Sequence, residues 1–305
     1  MCGYINSKKH HGSPGTGDPV PCKTEKVKMV QVNNENIEMQ LLLEAIFLKY
    51  GYDFRNYSKA SIKRRLGQRL QRAQLPNFSA MQHKVLTDKP FFQSLFLDLS
   101  INVTEMFRDP FFYRAIRESV VPILKTYPFI KIWHAGCSTG EEVYSMAILL
   151  KEEGLLDKAL IYATDVNEVV LKKAKDGIYP IDRIKDYTMN YQRSNGKTSF
   201  ADYYVAKYDS VIMDQSLKKN MVFSQHNLVT DSVFGEMNMI ICRNVLIYFN
   251  KELQYNVIGL FKDSLIRKGL LCLGSKETLR FSNHVNNFDE LVAEQNIYQK
   301  NLVKK

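Results

Sequence analysis

The chain has 305 residues, with 42 Lys and Arg against 32 Asp and Glu, a formal net charge of +10. Its 45% apolar content supports a packed core, and its length suggests about two domains. No apolar run reaches the roughly 18 residues of a membrane span, and the N-terminal MCGYINSKKHHGSPGTG carries no secretory h-region, so a cytoplasmic protein is expected. The positive charge points to an acidic partner: nucleic acid, an anionic membrane or an acidic protein surface.

Residues 1 to about 36 are rich in Gly, Pro and Lys and read as a disordered tail. From 37 to 100 the pattern is helical. In 37-IEMQLLLEAIFLKYG-51 the apolar residues recur at helical spacing, and Gly51 stands at the expected stop. The segment 61-SIKRRLGQRLQRA-73 places Ile62, Leu66, Leu70 and Ala73 on one side, with Lys63, Arg64, Arg65, Arg69 and Arg72 beside them. Two shorter helices follow near 78–87 and 90–100, completing a small all-helical domain. A linker over 101–126 leads into alternating strands and helices. Strands are expected near 128–134, 158–164, 220–225, 237–242 and 269–274, and helices over 140–153, 167–175 and 251–267. That alternation implies an α/β fold with a parallel sheet and crossover helices. A last strand near 295–302 would pair antiparallel at the edge. The interval from about 181 to 219 breaks the alternation and reads as an inserted antiparallel β subdomain.

Five cysteines stand at 2, 22, 137, 242 and 272, without a CxxC pair or a Cys/His cluster. Neither a disulfide framework nor a metal site is indicated; Cys137, Cys242 and Cys272 sit in or beside apolar runs and suit buried thiols. His10, His11, His83, His134, His226 and His284 show no metal spacing and are expected to be structural or exposed. Trp133 is expected in the core.

The first strand runs into a glycine turn, 131-KIWHAGCSTGEEVYSMAILL-150. The turn is neither GxGxxG nor GxxxxGK(S/T), so neither the dinucleotide fingerprint nor the P-loop is met. Glu141 and Glu142 follow it directly. Two carboxylates suit a helix N-terminus but repel a pyrophosphate, so the ligand should be cationic or zwitterionic there. S-adenosylmethionine (SAM) fits. Asp165, ending the second strand, can accept both ribose hydroxyls. The same carboxylates could equally be helix caps, and the turn by itself leaves both possibilities open.

Two further motifs stand at 101-INVTEMFRDPFFY-113 and 241-ICRNVLIYF-249. With HAGCSTGEEVYS and ATDVN they resemble the chemotaxis receptor-glutamate methyltransferases, the CheR family, from about residue 37 to the C-terminus. The resemblance implies a SAM-dependent methyltransferase Rossmann-like sheet, preceded by the helical domain. It implies cofactor contacts from Asn102, Thr104, Arg108, Glu141, Asp165, Asn227, Leu228, Arg243 and Asn244. Glu141 would meet the methionyl ammonium, and Asp165 the ribose. Asn227 and Leu228 would border the adenine. Arg108, Arg243 and Tyr248 would act at the reacting end, in positional roles; without the resemblance, structural support is the more natural role for Arg243 and Tyr248.

The implied reaction is transfer of methyl to a glutamate carboxylate of a chemoreceptor, leaving S-adenosylhomocysteine (SAH). A carboxylate titrating near about 4.3 is already ionised at neutral pH, so no general base is needed. The basic helix 61–73 would meet an acidic helical receptor region. Two departures stand out. Relatives that tether to a receptor pentapeptide carry a Gly-rich loop in the β subdomain, whereas 194-SNGKTSFADYYVAKYD-209 has only Gly196, so a pentapeptide-independent enzyme is expected. Val143 stands where many relatives have Pro, with little consequence expected. A SAM-binding regulatory module without turnover is the main alternative. A nucleic-acid methyltransferase fits less well, since neither (D/N/S)PP(Y/F/W) nor a Pro-Cys nucleophile occurs.

Overall fold

The structure is a computed structural model that describes residues 34–100, 104–280 and 282–301. The expected disordered tail therefore lies outside the described residues, except that 34–36 open the first helix.

Four helices build the N-terminal part: α1 (Asn34–Tyr50), α2 (Lys59–Arg72), α3 (Phe78–Thr87) and α4 (Lys89–Leu99). Their apolar sides close on one cluster that includes Leu42, Ile46, Ile62, Leu66, Met81 and Leu95. Local chemistry sets the ends. Gly51, at φ +76, donates its N–H to Phe47 O at 2.8 Å and stops α1. The Asn77 side chain accepts from Ala80 N–H and caps α3, and Asp88 caps α4 through Phe91 N–H.

The basic residues of α2 do not form one solvent face. Arg69 turns inward to an ion pair with Asp98 at 2.5 Å and donates to Ser94 O. Arg65 donates to Asp98 O, and its guanidinium lies 5.9 Å from the Tyr248 ring centre. Lys63 pairs with Glu35 at 2.6 Å. Arg64 and Arg72 are exposed, although Arg72 also reaches Asp98.

A helical linker follows, α5 (Pro110–Ala115), a π-helical turn over Ile116–Val120, and α6 (Val121–Leu124). The α/β part then runs β1 (Ile130–Ala135), α7 (Glu141–Glu152), β2 (Ala159–Asp165), α8 (Glu168–Asp176), β3 (Ile178–Pro180), α9 (Ile184–Arg193), β4 (Tyr204–Lys207), β5 (Ser210–Met213), α10 (Gln215–Lys218), β6 (Met221–Gln225), β7 (Met237–Cys242), α11 (Lys251–Ser264), β8 (Leu265–Leu273), β9 (Phe288–Val292) and β10 (Ile297–Lys300). The large sheet has seven strands in the order β6-β2-β1-β7-β8-β10-β9. The first five are parallel, and β10 runs antiparallel to both its neighbours. All of β7 and nearly all of β1 are buried, as expected of strands covered on both faces. The insertion is a second sheet, β3-β5-β4, with both pairings antiparallel. Cys137, Cys242 and Cys272 are buried free thiols, and Trp133 is in the core.

Six of these elements were not anticipated: α5, α6, α9, α10, β3 and β9. Because β9 takes the edge, β10 lies one strand in from it. The expected helix over 251–267 ends at Ser264, where β8 begins without an intervening loop.

The chain leaves β1 towards β2 and β6 on one side and later fills β7 and β8 on the other. Such a reversal opens a crevice outside the C-terminal ends of β1 and β7. The helical part closes over that crevice. Ser58 N–H donates to Tyr248 O at 2.7 Å, Asn250 N–H to Asn56 O at 2.9 Å, and Tyr57 forms an isolated bridge with Phe249.

Candidate active site

The turn between β1 and α7 is built on left-handed backbone: Gly136 at φ +83, Ser138 at +50 and Gly140 at +92. The N–H groups of Gly136 and Cys137 both donate to Thr164 O, at 2.9 and 2.8 Å, which fastens the turn to the end of β2. Space is as restrictive as conformation. A Cβ on Gly136 would lie 2.6 Å from Val245 Cγ2, and one on Gly140 2.8 Å from Ala174 Cβ. Gly136→Ala is therefore expected to push Val245 aside and weaken SAH binding by about tenfold or more. Gly154→Ala separates the two effects, because Gly154 shares the positive φ (+70) but has open space around it. It should cost about 1 kcal/mol of stability and leave SAH titration calorimetry unchanged.

Asp165 ends β2. Its Oδ2 accepts Ser138 N–H at 2.9 Å and its Oδ1 accepts Asn167 N–H at 3.0 Å. Burial pushes its carboxyl above the ordinary value, and the backbone N–H groups pull it back in part. Each oxygen keeps a lone pair for a ligand hydroxyl. The Ser138 hydroxyl, also at the cleft, is buried without a protein partner.

Glu141 and Glu142 diverge by roughly 100°, as successive helical residues must. Glu142 faces the cleft. Glu141 is not among the cleft-lining residues; its Oε2 accepts the Thr139 hydroxyl at 2.6 Å, and burial pushes its carboxyl up.

Arg243 is buried at the end of β7. It donates to Glu142 Oε2 at 2.9 Å, to Asp109 Oδ2 at 2.6 Å and to Arg108 O at 3.4 Å, with its guanidinium 4.1 Å from the Phe112 ring centre. Glu142 in turn meets His134 Nδ1 at 3.2 Å. Burial alone would raise the Glu142 carboxyl, but His134 and Arg243 more than offset it and hold it below the ordinary value. His134 is thus structural. The chain His134–Glu142–Arg243–Asp109 locks the first turn of α7 to the segment ahead of α5.

Eight of the expected site residues line one cleft: Thr104, Arg108, Asp165, Asn227, Leu228, Arg243, Asn244 and Tyr248. Asn102 lies outside the described residues. Glu105, Ser138 and Tyr57, which the sequence reading did not single out, line the same cleft, as does Glu142, which it named with Glu141 at the turn but gave no cofactor contact. Glu105, Ser138 and Glu142 had a signal, since all three lie inside the quoted motifs. Tyr57 had none, because it arrives from the helical domain.

Strand order, the antiparallel last strand and a glycine turn dressed with carboxylates mark the class: a SAM-dependent methyltransferase. The residues fit that cofactor. Asp165 has acceptor capacity left, the Ser138 hydroxyl lacks a protein partner, and a cleft lined by Glu105, Glu142 and Asp165 suits an ammonium and a sulfonium better than a phosphate.

The family follows from comparison. Residues 102–296 match the CheR methyltransferase SAM binding domain, and residues 37–100 match the CheR methyltransferase all-alpha domain. The chain belongs to the CheR methyltransferase family. It is 53% identical over 272 residues to a Pseudomonas putida protein named "Putative methyltransferase Cher3", covering 89% of this chain and all of that one. It is 28% identical to a chemotaxis protein methyltransferase of Listeria innocua, over 75% of this chain and 85% of that one. It is 27% identical to a chemotaxis protein methyltransferase of Salmonella typhimurium, over 83% of this chain and 84% of that one. Among the described residues no helix is long and apolar enough to cross a membrane.

Proposed function

We propose that the chain is a protein-glutamate O-methyltransferase that esterifies glutamate side chains of chemoreceptors in sensory adaptation, working in the cytoplasm. The observation that carries this is the position of α2: although Arg65, Arg69 and Arg72 reach Asp98, the Arg65 guanidinium stands beside Tyr248, which lines the cleft, and Arg64 and Arg72 stay exposed. A basic lip suits an acidic helical substrate.

Bound SAM supplies a methyl group on a positively charged sulfur and leaves as SAH. The residues position the partners. Asp165 would accept the ribose hydroxyls, and Asn227 and Leu228 would border the adenine. Thr104, Arg108 and Asn244 line the cleft and, with Asn102, would contact the cofactor. Glu141, although set back from the cleft, contributes negative charge near the ammonium, with Glu142 in front of it. Arg243 is committed to Glu142 and Asp109, so it braces the cleft wall, and Arg108 orients carboxylates. Tyr248, at the cleft, would pack beside the methyl group. The incoming carboxylate is already ionised, and catalysis comes from alignment and exclusion of water.

No pentapeptide tether is inferred. Gly196 is occupied with packing: a Cβ there would meet the Tyr191 ring at 2.2 Å.

The test is incubation with methyl-tritiated SAM and receptor-bearing membranes. The product should release its label as volatile methanol in alkali. Label that survives alkali would overturn the glutamate assignment, and SAH binding without any label would favour a regulatory module.

A further inference from the structure

Arg243, Asn244 and Tyr248 stand on a turn between β7 and α11. One side chain from elsewhere in the sequence holds it. The Glu277 carboxylate accepts Asn244 N–H at 3.0 Å and Gly274 N–H at 2.6 Å on Oε2, and Val245 N–H at 2.9 Å and Ile247 N–H at 3.3 Å on Oε1. Glu277 is only 5% exposed. Among the described residues no cation pairs with it; backbone amides alone solvate the charge. The held backbone is strained, with Asn244 at φ +60. The fit leaves no slack: a Cβ on Gly274 would lie 2.7 Å from Glu277 Oε2 and 2.9 Å from Asn244 N.

An unpaired buried carboxylate is a costly way to close a turn. Its specific yield is geometry, because two oxygens receiving four N–H groups fix the turn along and across its length. We propose that Glu277 is a positioning residue of the methyltransferase: it presets the Arg243–Tyr248 turn, and through Asn244 and Val245 the wall of the cofactor cleft. Val245 is the side chain that closes on Gly136, so the clamp reaches the glycine turn as well. The inference rests on the cleft being the SAM site.

The test is Glu277→Gln, which keeps the shape but removes the charge and one acceptor oxygen. SAH affinity, read by calorimetry, should fall by about tenfold or more. Leu124→Ala, a substitution in the core cluster that does not include the Arg243–Tyr248 turn, serves as a control for stability loss alone: it should lower the melting temperature and leave SAH affinity within roughly threefold. If Glu277→Gln does not fold, Gly274→Ala displaces the carboxylate without removing it, and the same loss is expected. Glu277→Gln with near-normal SAH affinity, in a protein that loses affinity on Asp165→Ala, would overturn the role of Glu277 alone. Absence of SAH binding by the unaltered protein would overturn the cleft assignment, and with it this inference.

Discussion

Asp165→Ala should weaken SAH binding by about a hundredfold or more while leaving the protein folded. The carboxylate makes no ion pair among the described residues; it accepts two backbone N–H groups and keeps free lone pairs. A hydrogen bond to a charged acceptor is worth about 1.5–3 kcal/mol, so two ribose bonds account for two decades or more in affinity. The pH dependence follows from the raised carboxyl. Where the folded value exceeds the unfolded one, the group's contribution to stability is present below the unfolded value and is lost as pH rises through the folded one. Binding has the opposite sense, because the ribose needs the ionised acceptor. SAH affinity should therefore decline on acidification before the ordinary Asp value of 3.8 is reached. Glu141 is shifted the same way, and Asp165→Asn isolates its share. Titration calorimetry at decreasing pH reads both.

Arg243→Ala should be the most destabilising single change at the site, by about 3–5 kcal/mol. The cause is the Glu142 carboxylate left behind, with only His134 for company. The Asp109 pair adds little, because that carboxylate is 41% exposed. The melting temperature should fall by roughly 10 °C. Adding Glu142→Gln should recover part of the loss, since it removes the orphaned charge. Glu142 has a depressed folded value, so its stabilisation is present above its unfolded value and disappears as pH falls through the folded one. The deficit of Arg243→Ala should accordingly shrink in acid, below about 4.5. Thermal denaturation of the single and double variants over pH tests each step. A deficit that stays constant in acid would contradict the account.

Much of the fold was legible because periodicity carries it. The inner parallel strands are apolar runs, and the crossover helices α8 and α11 have polar faces and side-chain caps. The misses have local causes. In β9, 288-FDELV-292, only Phe288 is fully buried, so an edge strand left no alternating signal. In α9 the fully buried residues are only Tyr187 and Tyr191, one helical turn apart, too few to mark a helix inside an interval read as a β subdomain. At Ser264 no Gly or Pro separates α11 from β8; the break comes later, at Lys268 with φ +61 and the register shift against β7. The site was legible where its residues lie inside contiguous motifs. It was not where residues distant in sequence converge: Tyr57 from the helical domain, Glu277 behind the turn, and Asp98, which draws Arg65 and Arg69 out of the basic face.

The most direct test of methyl transfer to a carboxylate is peptide mass spectrometry of receptor-bearing membranes after incubation with SAM and the purified protein, with Arg108→Ala alongside. One added methyl group should appear on glutamates of an acidic receptor helix, vanish on mild alkaline treatment, and be missing with Arg108→Ala. Methyl groups found on lysine, arginine or nucleic acid, or persisting through alkali, would contradict the account.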